Sequence, residues 1–134
     1  MLMFKVTSTN NAPAAIGPYS QAICANGVLY ASGQIALDPA TGEVVGSTIE
    51  EQAERCCQNV KGILEANGLT FDDVIKTTCF LADMKDFAAF NAVYAKYFTS
   101  KPARSCVAVA TIPKNLLCEI EITAIIMLTG KWSS

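Results

Sequence analysis

The clearest helical pattern in the chain lies between residues 47 and 68. Apolar residues recur there at alternating intervals of four and three, the spacing of one helix face; they are Ile49, Ala53, Cys56, Val60, Ile63 and Leu64. Ser47 and Thr48 each stand three residues before a glutamate, an arrangement typical of the capping box that begins a helix. Asn67-Gly68 offers the left-handed residue that ends one. The pattern predicts one amphipathic helix whose opposite face is solvated.

A second apolar stripe follows Asp86, which we predict to be the N-cap of another helix. The stripe again has helical spacing and consists of Phe87, Phe90, Val93, Tyr94, Tyr97 and Phe98. Pro102 prevents this helix from continuing, because the residue before a proline disfavours helical backbone.

Short runs rich in apolar and β-branched residues predict six strands. Their ranges are Met3–Ser8, Gln21–Ala25, Val28–Ile35, Asp72–Leu81, Ala103–Ala110 and Cys118–Leu128. Asn26-Gly27 separates two of these runs and predicts a type I′ hairpin turn, and Asp38–Gly42 predicts a second turn. The order β-β-β-α-β-α-β-β, without internal repeat or linker, predicts a single α+β domain over residues 1–134.

One face of the predicted sheet has no helix to cover it. The apolar candidates for that face are Val107, Val109, Ile122 and Ile126. Hydrophobic residues make up 51% of the 134 residues and charged residues only 16%, against a typical ~25%. With so few charges to solvate its surface, the domain is expected to bury this face against further copies of itself.

Charge and histidine content exclude several classes of function. The net charge is −2 and the basic residues are scattered, whereas a nucleic-acid footprint is basic and clustered. The chain contains no histidine, so a Ser-His-Asp triad, a Cys-His pair and a His-ligated zinc are all excluded. No phosphate-binding glycine motif or metal-ligand spacing is present either, and no cofactor or metal is expected.

The six cysteines are more typical of a cytosolic core than of a disulfide framework. None forms a Cys-x-x-Cys pair, and most lie in apolar segments. The segment Met1–Asn10 does not resemble a secretory signal, and the apolar runs are far shorter than the ~20 residues of a membrane span. We therefore expect a cytoplasmic protein, although an organelle is not excluded.

Arg104 is the first candidate for chemistry, because it opens a predicted strand with apolar residues around it. A guanidinium in such a place needs a partner. One interpretation is a buried ion pair with Glu119 or Glu121 on the neighbouring strand. The other is an anion site, since the planar fork of donors binds a carboxylate in bidentate fashion. Arg55, on the first predicted helix, is interpreted as a surface charge near Glu51.

Glu119 and Glu121 interrupt an apolar strand and lie on the same face of it, because strand side chains alternate. Carboxylates at such positions are rarely fully buried unless paired. One of them can neutralise a cation, while the other can act as a general acid or base with a raised pKa.

The segment Pro102–Glu121 (PARSCVAVATIPKNLLCEIE) resembles the signature of the RidA family, also called YjgF or endoribonuclease L-PSP proteins. Other segments are similar to family segments in the family's order: Asn11–Gln21 (NAPAAIGPYSQ), Ser32–Ile35 (SGQI), Asp38–Val44 (DPATGEV), Asn59–Gly68 (NVKGILEANG), Val74–Thr78 (VIKTT) and Asp86–Tyr94 (DFAAFNAVY). The resemblance covers nearly the whole chain.

The resemblance implies a chorismate-mutase-like α+β fold, with a mixed six-stranded sheet and two helices on one face. It implies a homotrimer with a cleft at each subunit interface. Active family members hydrolyse enamines and imines such as 2-aminoacrylate, which pyridoxal-phosphate enzymes release, to 2-keto acids and ammonia. The expected activity is therefore that of a 2-iminobutanoate/2-iminopropanoate deaminase, with no cofactor, no metal, no membrane and no nucleic acid as partner.

The resemblance also implies roles for individual residues. Arg104 matches the arginine that binds the substrate carboxylate, and Glu119 the glutamate that handles the proton through a water molecule. Cys106 matches a catalytic position that contributes through its backbone. The remaining matches are substrate-binding cleft residues: Tyr19, Ser32, Gly33 and Asn91.

Two alternative functions remain open at this stage. The first is an RNA-binding endoribonuclease or translation inhibitor, as one family name suggests; the low pI, the scattered lysines and the missing histidine oppose it. The second is a non-catalytic metabolite-binding or chaperone-like trimer. It predicts a ligand in the cleft without turnover.

Overall fold

The sheet begins with a hairpin at the predicted turn. In a computed structural model, which describes residues 4–126, Asn26 and Gly27 have φ values of 52° and 81°, as a type I′ turn requires. The turn joins β2 (Ala22–Ala25) to β3 (Val28–Ala31), and β1 (Phe4–Thr7) pairs antiparallel with β2. The predicted positions Met3, Met127 and Leu128 lie outside the described residues.

Three longer strands complete the sheet. They are β4 (Val74–Leu81), β5 (Ala103–Ala108) and β6 (Cys118–Ile125). The spatial order is β1-β2-β3-β6-β4-β5, and every neighbouring pair is antiparallel except β4 with β5. The prediction of a mixed six-stranded sheet is therefore confirmed, with β6 and β5 on opposite sides of β4.

The helices α1 (Ile49–Ala66) and α2 (Phe87–Tyr97) lie on one face of this sheet. Of the two predicted capping boxes, the one that forms pairs Thr48 with Glu51. Asp86 precedes α2 as predicted, but its side chain makes no capping hydrogen bond. Asp83 instead caps a short 3₁₀ turn that leads into α2. No helix within residues 4–126 combines the length and apolar character needed to cross a membrane.

The main core fills the space between the helices and the sheet. All six stripe residues of α1 are buried, together with Phe90, Val93 and Tyr94 of α2. A smaller cluster of Leu37, Ile112 and Leu116 packs with Phe80 and Val109 on the other side of the sheet. All six cysteines are free; four are buried, and Cys24 and Cys106 are half-buried.

Several predicted strand limits and faces are corrected by the structure. The third strand ends at Ala31 rather than Ile35, because the backbone N–H of Ser32 donates to Gln21 O. The fourth begins at Val74, after a 3₁₀ turn at Phe71–Asp73. Ile122 was predicted for the uncovered face but is buried in the main core, and Ile126 packs against that core.

The face without helices remains partly apolar. Cross-strand partners share a face, and the register therefore places Val6, Ile23 and Tyr30 in one row on this side. Val6, Tyr30 and Val107 are each about half exposed, at 49%, 55% and 47%. A single chain does not cover this face.

Candidate active site

The predicted site residues divide into two groups on opposite faces of the sheet. Glu119 lies on the face without helices, in register with Phe80 of β4. Arg104 is in register with Thr77 of β4, a fully buried residue on the helix side. We call the surroundings of Glu119 the glutamate half-site and those of Arg104 the arginine half-site. Within one chain, the two half-sites do not meet.

The glutamate half-site is a cavity of about 540 Å³. It brings together four of the predicted residues, Tyr19, Ser32, Gly33 and Glu119, and its walls include Ile16, Ile35, Leu37 and Pro113. Tyr19 is 54% exposed and stands at the mouth of the cavity. A few polar groups among apolar walls are typical of small-molecule sites.

Gly33 allows the Glu119 carboxylate to lie against the backbone. The isolated bridge between Gln34 and Ile120 brings these two segments together, with Gln34 N donating to Ile120 O at 2.8 Å. A Cβ atom on Gly33 would overlap with the Glu119 side chain. A larger residue at position 33 would therefore displace the Glu119 side chain.

The environment of Glu119 makes its carboxyl a weaker acid than usual. Burial raises the pKa of the Glu119 carboxyl above its ordinary value, and the negative charge of Glu121 raises the pKa further. A carboxylate with a raised pKa is a stronger base than an ordinary one, which suits it to accept and return a proton.

Hydrogen bonds to the backbone fix the loops of the glutamate half-site. Ser32 Oγ donates to Ser20 O at 2.6 Å. The buried Gln21 accepts from Thr9 N at 2.7 Å and donates to Pro13 O at 2.8 Å, which anchors the loop before Tyr19. The site is thus assembled from loops held by buried amides.

Asn59 of α1 holds the opposite wall of the cavity. Its side-chain amide donates to Ile35 O at 2.9 Å and to Leu37 O at 3.0 Å. Arg55 donates to Asn59 Oδ1 at 2.8 Å. Arg55 is partly exposed, as predicted, but within the described residues it forms no ion pair with Glu51 and instead orients a buried amide.

The arginine half-site lies between the edge strand β5 and α2. Arg104 Nη1 donates to Asn91 Oδ1 at 2.7 Å, so two predicted residues meet here. The guanidinium carbon lies 4.7 Å from the ring centroid of Tyr94 and 5.6 Å from that of Phe87. The adjacent cavity of about 460 Å³ is lined by Asn91, Tyr94, Phe98 and Arg104, among others.

The predicted ion pair of Arg104 with Glu119 or Glu121 does not form within residues 4–126. β4 lies between β5 and β6, so Arg104 has neither glutamate on a neighbouring strand. The hydrogen bond to Asn91 and the aromatic rings surround the guanidinium without neutralising its charge. The arginine therefore remains available to an anion.

Cys106 lies on the same side as Arg104, two positions further along β5, in register with Cys79. Burial raises the pKa of the Cys106 thiol, although the charge of Arg104 opposes the rise. A neutral thiol is a poor nucleophile. The geometry thus gives the sulfur no activated role, and the backbone role of Cys106 stays a prediction.

Three residues that position the site escaped the sequence analysis: Gln21, Asn59 and Tyr94. Tyr94 was predicted as a core aromatic, and its contact with Arg104 depends on how α2 lies on β5. Asn59 is fully buried. Its place directly beside the apolar stripe of α1 was the one signal that the sequence offered. Among residues 4–126, no three His, Cys, Asp or Glu side chains group as metal ligands would.

Comparisons with known proteins find relatives over most of the chain. The sequence model of the endoribonuclease L-PSP family matches residues 9–126. A RutC family protein from Pyrococcus horikoshii is 53% identical over 123 residues, covering 91% of this chain and 98% of the relative. A Salmonella typhimurium protein named 2-iminobutanoate/2-iminopropanoate deaminase is 47% identical over 127 residues, covering 92% and 98%.

The fold is shared with solved structures as well. The crystal structure of yeast Mmf1 superposes with a TM-score of 0.88 at 47% identity. The match covers 92% of this chain and 99% of the yeast chain. The match of the family model at residues 9–126 includes the predicted residues of both half-sites.

Proposed function

Because the chain belongs to the endoribonuclease L-PSP (RidA) family, we propose that it is an imine deaminase that hydrolyses 2-iminobutanoate, 2-iminopropanoate and the enamines from which they form. The similarity to a Salmonella typhimurium protein with that name supports the proposal. The single observation that carries it is the paired chemistry of the half-sites. One holds an arginine with free donors, and the other holds a carboxyl with a raised pKa.

The proposed reaction uses both groups. Arg104 binds the substrate carboxylate in bidentate fashion, which fixes the neighbouring iminium carbon. Glu119 accepts a proton from a water molecule as the water oxygen bonds to that carbon. The glutamate then returns the proton to the nitrogen. The C–N bond breaks as the hydroxyl group gives its remaining proton back to the Glu119 carboxylate, which releases ammonia and a 2-keto acid, and Glu119 then passes this proton to solvent. An iminium carbon is already electrophilic, so this chemistry needs no histidine.

We further propose that each complete site forms between two chains of a homotrimer. Arg104 and Glu119 lie on opposite faces of the sheet, and one chain therefore cannot direct both at a small substrate. The exposed apolar side chains Val6, Tyr30 and Val107 give the helix-free face a reason to pack against other copies. Light scattering is expected to give the mass of about three chains at micromolar concentration.

We place this reaction in the cytoplasm. All six cysteines are free and most are buried, as expected for a protein in a reducing compartment.

A coupled assay tests the proposed activity. An amino-acid oxidase or a pyridoxal-phosphate dehydratase generates the imine in place, and the rate of ammonia release is followed with and without this protein. Acceleration over the spontaneous rate that vanishes in Arg104→Ala supports the proposal. Binding of the 2-keto acid without any acceleration would instead support a non-catalytic metabolite-binding protein. RNA cleavage lost in Arg104→Ala, with no ammonia release, would support the ribonuclease alternative.

A further inference from the structure

Arg104 is held in one place although its side chain is long and lies at an edge of the sheet. The side chain of an arginine has about 2 kcal/mol of rotamer entropy to lose on binding a ligand. Asn91 uses the Nη1 group. Within the described residues, the Nη2 and Nε groups have no protein acceptor, so they are free to bind a carboxylate.

The ring of Tyr94 supplies the surface on which the guanidinium lies. Its centroid is 4.7 Å from the guanidinium carbon, within the ~6 Å range of a cation–π contact. Tyr94 is only 8% exposed, so water screens the contact little. Asn91, Tyr94 and Phe87, whose ring centroid lies 5.6 Å from the guanidinium carbon, all belong to α2, and the helix therefore contributes three restraints on the same charge.

The ring itself is fixed from several directions. The hydroxyl oxygens of Tyr94 and Thr77 lie 2.7 Å apart, and Thr77 is fully buried in β4. Phe98 stacks on the Tyr94 ring at 4.3 Å with an interplanar angle of 18°, and Phe90 lies 5.9 Å away. Thr77 is also the register partner of Arg104. The residue that contacts the Tyr94 hydroxyl therefore lies directly beside the arginine on the neighbouring strand.

We propose that Tyr94 is a positioning residue that orients the Arg104 guanidinium for carboxylate binding. The inference rests on the proposed function and deepens it, because it assigns substrate affinity to a residue outside the predicted site. Asn91 fixes one nitrogen, and the ring limits rotation of the guanidinium plane. The two free donors then face the substrate before it arrives.

The test compares Tyr94→Leu with Tyr94→Phe. The leucine variant removes the π face and is expected to raise KM for the imine by ~3- to 30-fold, while kcat changes by less than about 3-fold. The phenylalanine variant keeps the ring and loses only the hydroxyl, and its KM is expected to stay within about 3-fold of wild type. Phe71→Leu is the control for lost aromatic packing, because Phe71 packs on Tyr97 and Phe98 and does not line the cavity, and its KM is expected to stay within about 3-fold of wild type.

A second measurement separates this inference from the proposed activity. Calorimetric titration with 2-oxobutanoate, an unreactive carboxylate, is expected to show the same weakening in Tyr94→Leu and the same recovery in Tyr94→Phe. Equal affinity in wild type and Tyr94→Leu would overturn the positioning role, even if the wild type releases ammonia. An absence of ammonia release with the affinity pattern intact would overturn the deaminase proposal alone. No binding by the wild type together with no ammonia release would overturn both. If Tyr94→Leu does not fold, Tyr94→Met replaces it.

Discussion

The side chain of Glu119 fills the space that a side chain on Gly33 would occupy. A Cβ atom there would lie 2.7 Å from Cδ and 2.9 Å from Cγ of the glutamate. Both distances are far below ordinary van der Waals contact between carbons, ~3.5 to 4.0 Å. The present position of the proposed proton-transfer group is therefore compatible with glycine at position 33 but not with a larger residue.

Gly33→Ala is expected to displace Glu119 and to lower kcat by about 10²-fold or more, since a positioned acid–base group contributes ~10²- to 10⁴-fold. The measurement is steady-state imine hydrolysis in the coupled assay. Gly42→Ala is the control: it strains a turn with a φ of 77° but meets no atom within 4 Å. This control is expected to lose stability and keep its activity.

A double variant makes the Gly33 prediction specific. If the alanine acts only by moving Glu119, Gly33→Ala in a Glu119→Gln background is expected to cause almost no further loss. Independent, multiplying losses would mean that Gly33 acts on the reaction by a route that does not involve Glu119.

Arg104→Lys is expected to lower kcat/KM by at least about 100-fold although it keeps the charge. An ammonium is a compact charge that cannot present two parallel donors to a carboxylate, and hydrogen bonds to charged groups contribute ~1.5–3 kcal/mol. Lys61→Arg, the inverse exchange on the exposed face of α1, is the control and is expected to be unaffected. Wild-type turnover by Arg104→Lys would contradict the assignment of Arg104 as the carboxylate-binding residue.

Mixing two inactive variants tests whether the site is shared between chains. Arg104→Ala and Glu119→Ala each remove one half-site, and both are expected to be inactive alone. Unfolded together in equal amounts and refolded, they are expected to recover about one quarter of wild-type activity. In a cyclic trimer, the chain that supplies the arginine to a site has that arginine intact with a probability of about one half. The chain that supplies the glutamate is intact with the same probability, so about one quarter of the sites are complete. No recovery, with both variants trimeric, would mean that one chain supplies both groups.

Side-chain alternation within a strand predicted correctly that Glu119 and Glu121 share a face. The same rule could not predict how Arg104 relates to them, because that depends on which strands are neighbours and in what register. The insertion of β4 between β5 and β6 is a property of the whole sheet. The ion-pair prediction failed for this reason.

Buried polar residues account for most of what the sequence did not reveal about the site. Asn59 lies in a helix that the sequence predicted well, yet its hydrogen bonds reach Ile35 and Leu37, more than twenty positions earlier in the chain. The early end of β3 has a similar origin, since Ser32 bonds back to Ser20 and Gln21. Such contacts follow from tertiary packing, and local patterns carry little information about them.

The pH dependence of catalysis follows from the two glutamates. If Glu119 must be ionised to accept a proton from water, kcat/KM falls as the pH drops through its pKa. Burial and the charge of Glu121 both raise that pKa, so the acid limb is expected above the ordinary value of 4.5. Glu121→Gln removes one of the two causes of the raised pKa, namely the repulsion between the Glu121 charge and an ionised Glu119. The acid limb is therefore expected to move to lower pH while remaining above 4.5, because burial persists.

The measurement is the pH profile of kcat/KM, which reports ionisations of the free enzyme. Glu50→Gln, at an exposed position in the first turn of α1, changes the net charge equally and is expected to leave the limb in place. Glu119→Gln is expected to abolish the limb together with most of the activity. An acid limb that does not move in Glu121→Gln would contradict the assignment of the limb to Glu119 under the influence of Glu121. An acid limb that moves equally in Glu50→Gln would contradict it as well.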